Sequence, residues 1–237
     1  AEETGEDVEE EAGGDEVVDE QRDWADDVLD ADLEWSELEE AVRYETVGLP
    51  EEEHTTDAFN RDGNLEAIAQ TVVKVVEVEG PVQFADVARR VARHWGYSRL
   101  SSRIESRIRE SLQVLPDEKR PSVDGEFVWP AGTRAEEYRT FRPATPDDRP
   151  RAADEIPPAE AANAAAAALE HNLAMPAEEL QRQVARAFGF TQLGSNLRKL
   201  GDQAIEALVD QGRASREDEM IRRADEQEAA EAVPVGG

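Results

Sequence analysis

The feature that most restricts the fold of this 237-residue chain is an internal repeat. When the sequence is shifted by 93 positions, residues 86–115 align with residues 179–208 without a gap. The match includes a glycine flanked by aromatic residues, which chance similarity between two amphipathic helices would not require. The pattern therefore predicts a duplicated domain rather than a solenoid, whose periods are about 20–50 residues. The identical positions, eight of thirty, are Arg89, Val91, Ala92, Arg93, Gly96, Leu100, Ser102 and Leu115.

Apolar residues at helical spacing predict three helices in the first copy, which we assign to residues 63–131. The second and third of these helices are predicted over residues 85–95 and 101–115. Asp124-Gly125 then precedes the run 127–129, and Asp-Gly before a β-favouring run is a hairpin signal. Three helices followed by a hairpin predict a winged-helix-like domain.

The same plan recurs in residues 155–222, so the predicted fold class is mainly α with two tandem winged-helix-like domains. Residues 132–154 between the copies contain prolines and mixed charge, and predict a linker or an extended arm that crosses the surface. Residues 23–62 have apolar side chains every three or four positions, which predicts a segment of short amphipathic helices that packs on a neighbour. The composition predicts an acidic disordered N-terminus over residues 1–22 and an acidic tail over residues 223–237.

Charge is distributed very unevenly along the chain. Asp and Glu number 56 against 26 Lys and Arg, which gives a formal net charge of −30. This acidic, lysine-poor composition is typical of proteins from salt-loving organisms, and it favours an environmental cause over an acidic substrate mimic. At molar salt the Debye length is only about 3 Å, so such carboxylates hardly repel each other or a nucleic acid. Against this background, residues 89–109 contain seven arginines and one acid, and residues 181–200 contain four basic residues and no acid.

These basic stretches cover the second and third predicted helices of each copy. In a helix-turn-helix unit the third helix enters the major groove, while the preceding helix and the turn contact phosphates. Arginine suits both tasks because its planar fork pairs bidentately with phosphate or guanine. The alternative is that these side chains pair with the abundant carboxylates of the chain. The predicted nucleic-acid-binding residues are Arg89, Arg90, Arg93, Arg99, Arg103, Arg107, Arg109, Arg182, Arg186, Arg198 and Lys199.

Several classes of site are excluded or unsupported. The chain has no cysteine, which excludes disulfides, thiolate metal sites and cysteine nucleophiles. Its three histidines, His54, His94 and His171, share no metal-binding or catalytic motif. No apolar run approaches the ~20 residues of a membrane helix, and no signal peptide is recognisable. We therefore expect no catalytic residue, metal or cofactor in this chain, no membrane partner, and a cytoplasmic location.

Four stretches carry a family resemblance: VVKVVEVEGPVQFADVARRVARHWGYSRLSSRIESRI, DGEFVWP, EIPPAEAANAAAAALE and ELQRQVARAFGFTQLGSNL. Together they resemble the uncharacterised C-terminal domain of very large superfamily I DNA helicases, over about residues 65–212. The resemblance implies a DNA-processing context. An ATP-dependent helicase core, with its ATP and Mg²⁺, and a Vsr-like endonuclease domain would lie in the parent protein. No catalytic residue of those parts has a counterpart here, and Gln192 and Asn196 stand where the family would have basic residues.

Three functions fit these observations. The first is a non-catalytic C-terminal module that binds DNA through its basic helices and works with the helicase or nuclease core of the same or a longer chain. The second is a protein-interaction module that docks on that core or on another partner. The third is a stand-alone winged-helix transcription regulator, which needs only the winged helices and which a dimer and a palindromic operator would support.

Overall fold

A computed structural model describes residues 33–145 and 151–224 of the chain. All contacts reported below lie within the compact unit Glu34–Gly237. The predicted disordered segment 1–22 lies outside the described residues, and so does all of the predicted acidic tail except Arg223, which ends a strand, and Ala224. The described residues are about half helical, in line with the predicted mainly α class, and two small three-stranded antiparallel sheets accompany the helices.

The described residues contain seven α-helices and six strands, together with short 3-10 turns. The helices are α1 (Thr56–Phe59), α2 (Leu65–Glu79), α3 (Phe84–His94), α4 (Ser102–Leu112), α5 (Pro158–Asn172), α6 (Ala177–Ala187) and α7 (Ser195–Asp210). The strands are β1 (Val82–Gln83), β2 (Ser122–Asp124), β3 (Phe127–Trp129), β4 (Ala174–Pro176), β5 (Ala214–Glu217) and β6 (Met220–Arg223).

The helices form where apolar residues recur on one face, and their ends follow from local chemistry. On α3 the residues Val87 and Val91, four positions apart, are fully buried, and Ile108 is buried in the same core from α4. Helix α2 ends at Gly80, whose N–H donates to the carbonyl of Val76 at 2.9 Å, because the following proline has no N–H to continue the helix. Burial of these faces is the main source of helix stability.

The offset of 93 residues extends beyond the aligned stretch to both helices and sheet register. The starts of α2 and α5 differ by 158 − 65 = 93, and those of α3 and α6 by 177 − 84 = 93. Val82 pairs with Val128 in one sheet, and Met175 pairs with Ile221 in the other, each 93 positions later. The strand orders are β1-β3-β2 and β4-β6-β5. We therefore call residues 65–129 the first repeat and residues 158–222 the second, each with the order helix, strand, helix, helix, strand, strand.

The prediction of amphipathic helices in residues 23–62 is wrong for the part that the structure describes. This part contains a 3-10 turn at Trp35–Glu37, residues 42–50 without regular secondary structure, and the four-residue α1. The spacing of its apolar residues has a different cause, because Val47 and Leu49 pack against the core of the first repeat. The spacing reflected contacts with a neighbour, as predicted, but not a helical conformation.

The predicted surface linker, residues 132–154, is instead held in the interior over part of its length. Phe141 is completely buried. The side-chain amide of Asn163 on α5 donates to the carbonyls of Tyr138 at 3.0 Å and Thr140 at 2.9 Å. A buried amide of the second repeat thus satisfies backbone groups of the connecting segment, as buried polar groups generally require. The proline-rich composition did not indicate this burial.

Three charged side chains lie buried where the two repeats meet. Glu160 on α5 is 0% exposed, and its oxygens lie 2.6 Å from both Arg142 and Arg151. Arg142 also donates to the carbonyls of Glu79 at 2.5 Å and Pro81 at 2.8 Å, which belong to the first repeat. Burial alone would raise the pKa of Glu160, but the charges of Arg142 and Arg151 outweigh it and lower that pKa to about 2. This triad therefore links the two repeats through ionised groups.

Candidate nucleic-acid interface

The turn between α3 and α4 determines where the predicted arginines of the first repeat lie. Gly96 has φ of +79°, a left-handed conformation that favours glycine, and it ends α3. The N–H of Tyr97 donates back to the carbonyl of Ala92 at 2.9 Å, and the hydroxyl of Ser101 accepts from the N–H of Ile104 to begin α4. The turn thus brings the end of α3 and the start of α4 to one edge of the repeat.

Three of the predicted arginines lie along this edge without a partner. Arg93 is in the last turn of α3, Arg99 is in the connecting turn, and Arg103 is in the first turn of α4. All three are exposed, and their guanidinium groups make no hydrogen bond or ion pair with any residue in 33–145 or 151–224. We call Arg93, Arg99 and Arg103 the cationic edge.

Arg89 and Arg109 flank this cationic edge and have weak partners. Arg89 is half exposed and lies 3.5 Å from Asp86, one turn earlier on the helix. Arg109 lies 3.1 Å from Glu105, and its guanidinium carbon is 3.8 Å from the centre of the Phe84 ring. Exposed ion pairs of this kind contribute about 0–1 kcal/mol, so a phosphate could compete with the carboxylates.

Arg90 does not belong to the exposed surface, which corrects the prediction for this residue. Its guanidinium donates to both oxygens of Glu79, at 2.8 and 2.6 Å, and also to the carbonyl of Val47. Glu79 is only 1% exposed. The hydrogen bond to Glu79 raises the pKa of Arg90, and it outweighs the opposing effect of burial. Arg90 therefore joins the segment around Val47 to the end of α2.

Arg107 is also turned inward, although it follows Arg103 by one helical turn. Its Nε donates to the carbonyl of Phe59 at 2.8 Å, and its Nη2 donates to Asp62 at 3.2 Å. Phe59 ends the short α1, so its carbonyl has no partner within that helix and needs a donor from elsewhere. Only 16% of the Arg107 side chain is exposed, and its role is structural.

The arginines of the second repeat are exposed but paired. Arg182 lies 2.9 Å from Glu178 and 3.1 Å from Glu179, and Arg186 lies 3.5 Å from Glu179. Arg198 of α7 lies 3.0 Å from Glu178 of α6. The sequence carries a signal for these pairs, since Glu178 and Glu179 precede Arg182 by four and three positions, a spacing typical of helical ion pairs.

Lys199 is exposed on α7 and makes no ion pair with any residue that the structure describes. It lines a groove of about 460 Å³ between α7 and the β2–β3 hairpin of the first repeat. Asp124 and Glu126 of that hairpin line the same groove. The second repeat's counterpart of α4 thus faces carboxylates of the first repeat, an arrangement that opposes the approach of a nucleic acid to Lys199.

Both hairpin turns are acidic. The β2–β3 turn joins Asp124 to Glu126, and the β5–β6 turn carries Glu217, Asp218 and Glu219. Carboxylates at these tips would repel a phosphate group.

Two of the three histidines, His54 and His94, have structural surroundings. The His54 ring stacks on Trp95 with centroids 4.2 Å apart, and Nδ1 of His94 lies 2.6 Å from the carbonyl oxygen of Pro50. Within residues 33–145 and 151–224, no three His, Asp or Glu side chains are close enough to hold a metal ion together. None of the helices in those residues has both the length and the apolarity that a bilayer crossing requires.

Comparison with known proteins gives one match. A family described as "Protein of unknown function (DUF3320)" matches residues 57–106, from α1 to the first turns of α4, and therefore covers the cationic edge. Domains of this family are often found in helicase-associated proteins. No curated protein and no solved structure matches the chain significantly.

Proposed function

We propose that this chain is a non-catalytic nucleic-acid-binding module that positions DNA for a superfamily I helicase or helicase–nuclease. The observation that carries the proposal is the cationic edge of the first repeat, where Arg93, Arg99 and Arg103 are exposed and have no partner among residues 33–145 and 151–224, in a chain of net charge −30. Exposed guanidinium groups without a carboxylate partner are suited to contact the phosphates of a nucleic-acid backbone.

The topology supports a winged-helix-like assignment for both repeats. Each has the order helix, strand, helix, helix, strand, strand, with the last strand in the centre of the sheet. On this assignment α4 is the helix that enters the major groove, and α3 with the following turn lies against the backbone. Arg93, Arg99 and Arg103 would then contact phosphates, with Arg103 at the edge of the groove. The acidic hairpin would stay away from the duplex.

The helicase context rests on the family match and on the resemblance of residues 65–212 to the C-terminal domain of superfamily I helicases. ATP and Mg²⁺ would be bound by the helicase core of the parent protein. This chain would contribute DNA contacts next to that core, and the core would be its protein partner.

The proposal is tested by measuring the affinity of the chain for a labelled duplex DNA between 0.1 and 1 M salt. If the three arginines neutralise at least three phosphates, the logarithm of the association constant falls with the logarithm of salt with a slope of about −2.7 or steeper. Affinity would then fall about 500-fold or more over this range. Failure to bind duplex, forked or single-stranded DNA at 0.1 M salt would contradict the proposal.

A protein-docking function is the second candidate, and the groove beside Lys199 favours it. This groove presents both charges, with Lys199 on one side and Asp124 and Glu126 on the other. Recovery of a helicase core by the chain, with no measurable affinity for DNA, would favour docking over DNA binding.

A further inference from the structure

The two repeats carry an equivalent pair of arginines on corresponding helices, but the residues around each pair differ. Arg89 and Arg93 of α3 correspond to Arg182 and Arg186 of α6, because 182 − 89 = 93 and 186 − 93 = 93. In the second repeat Glu179 lies within ion-pair distance of both arginines, at 3.1 Å from Arg182 and 3.5 Å from Arg186. In the first repeat Arg93 has no such partner among the described residues.

Two substitutions between the repeats explain the difference. Glu178 of the second repeat corresponds to Ala85 of the first, so one carboxylate is missing beside Arg89. Glu179 corresponds to Asp86, which is one methylene shorter and lies 3.5 Å from both Arg89 and Arg90. Asp86 is thus shared between two arginines on its own helix and does not reach the third, Arg93.

The carboxylates of the second repeat bind guanidinium groups in the way a phosphate would. One oxygen of Glu178 lies 2.9 Å from Arg182 on α6 and 3.0 Å from Arg198 on α7, so it bridges two helices. Carboxylate and phosphate oxygens are both bidentate acceptors for arginine, and either can occupy such a position.

We propose that Glu178 and Glu179 take the place of backbone phosphates in the second repeat, so that this repeat is neutralised internally and nucleic acid binds only at the first. The inference rests on the proposed function and adds that the module has one phosphate-binding edge rather than two. Its ligand is the phosphodiester backbone, held by Arg89, Arg93, Arg99 and Arg103.

The local charges agree with this asymmetry. Residues 84–112 contain seven arginines and three acids, which gives +7 − 3 = +4. The equivalent residues 177–205 contain four basic residues and three acids, which gives +4 − 3 = +1. The second repeat also has Gln192 and Asn196 at the positions of Arg99 and Arg103. Electrostatic attraction for a phosphate chain is therefore concentrated on the first repeat.

The first test moves the missing carboxylate into the first repeat. Ala85→Glu places a carboxylate four positions before Arg89, the same spacing at which Glu178 precedes Arg182, whereas Ala85→Gln has nearly the same shape without the charge. Loss of one phosphate contact predicts that Ala85→Glu binds duplex DNA about eightfold more weakly than Ala85→Gln at 0.1 M salt. Equal affinities of the two variants would overturn the inference while leaving the proposed function intact, since the wild-type chain would still bind.

The second test releases the arginines of the second repeat. In a chain whose first site is removed by Arg93→Ala, Arg99→Ala and Arg103→Ala, the further changes Glu178→Gln and Glu179→Gln should raise DNA affinity at 0.1 M salt about eightfold or more. The matched control, Glu170→Gln with Glu206→Gln, removes two other exposed carboxylates of the same repeat and should have a clearly smaller effect. No gain over that control would overturn the inference. Absence of DNA binding by the wild-type chain would overturn the proposed function itself.

Discussion

Arg142 and Glu160 form an ion pair with 2.6 Å between Nη2 and Oε2, although the side chains are only 5% and 0% exposed. The pair joins the segment between the repeats to the first turn of α5, and Arg142 continues to two carbonyls at the end of α2. Because both charges are out of water, removal of either leaves the other without compensation. The connection between the repeats therefore depends on charged groups as well as on apolar contacts.

We predict that Glu160→Gln lowers the free energy of unfolding by about 3–5 kcal/mol, because Arg142 and Arg151 lose their buried counter-charge. Urea unfolding followed by circular dichroism measures the change. Glu170→Gln is the matched control, since it is the same chemical change at an exposed position of the same helix and should cost less than about 0.5 kcal/mol. Equal stability of the two variants would contradict the role assigned to the triad.

The depressed pKa of Glu160 predicts how this stabilisation depends on pH. The group ionises near pH 2 in the folded chain, against about 4.3 when unfolded, so the unfolded chain holds the proton more tightly. The contribution, about 3 kcal/mol, is therefore fully present above pH 5 and is lost as pH falls towards 2. The difference in unfolding free energy between wild type and Glu160→Gln should narrow from pH 6 to pH 3. If the difference in unfolding free energy stays constant over this pH range, ionised Glu160 is not the source of the stabilisation.

Substitution of two neighbouring arginines of α3 should separate effects on folding stability from effects on DNA binding. Arg90→Ala leaves the buried Glu79 without its ion pair and should lower the free energy of unfolding by about 3 kcal/mol. Arg89→Ala removes only an exposed contact at 3.5 Å and should change stability by less than about 0.5 kcal/mol. Chemical denaturation measures the unfolding free energy of each variant, and a DNA titration measures its affinity. If Arg90→Ala is as stable as the wild type but no longer binds DNA, Arg90 belongs to the exposed binding surface and the structural role given to it is wrong.

The two repeats also predict which left-handed glycines can be replaced. Gly96 has φ of +79°, and an added Cβ would lie 3.0 Å from the carbonyl oxygen of His54, so Gly96→Ala should cost about 2 kcal/mol. Gly125 has φ of +55° with open space around it, and the second repeat has Asp218 at φ of +53° in the equivalent turn. Gly125→Asp should therefore cost less than about 1 kcal/mol. Thermal unfolding distinguishes the two, and equal losses would contradict the correspondence of the hairpins.

Much of the fold could be predicted from the sequence because its signals are local or repeated. Helical periodicity indicated the three main helices of each copy, the Asp124-Gly125 dipeptide indicated the hairpin, and the offset of 93 indicated the duplication. The short strands β1 and β4 could not be predicted, because two or three residues carry no period and acquire their conformation by pairing with a distant hairpin.

The candidate site was harder to predict, because the partner of an arginine is decided by tertiary contacts. Arg90 and Arg93 are three positions apart on α3. Arg90 forms an ion pair with Glu79 of the preceding helix, whereas Arg93 pairs with no residue that the structure describes. The repeat contained one usable signal. Arg107 corresponds to Leu200, a core residue that is 4% exposed, so the alignment itself placed Arg107 at an inward position.

The most direct test compares two triple variants that remove equal charge from equivalent helices. Arg93→Ala, Arg99→Ala and Arg103→Ala remove arginines of the first repeat that have no partner among the described residues, while Arg182→Ala, Arg186→Ala and Arg198→Ala remove paired arginines of the second. We predict that the first variant loses duplex affinity by 100-fold or more at 0.1 M salt, since three phosphate contacts disappear, whereas the second changes it by less than about threefold. Equal losses, or a greater loss in the second variant, would contradict the assignment of DNA binding to the first repeat.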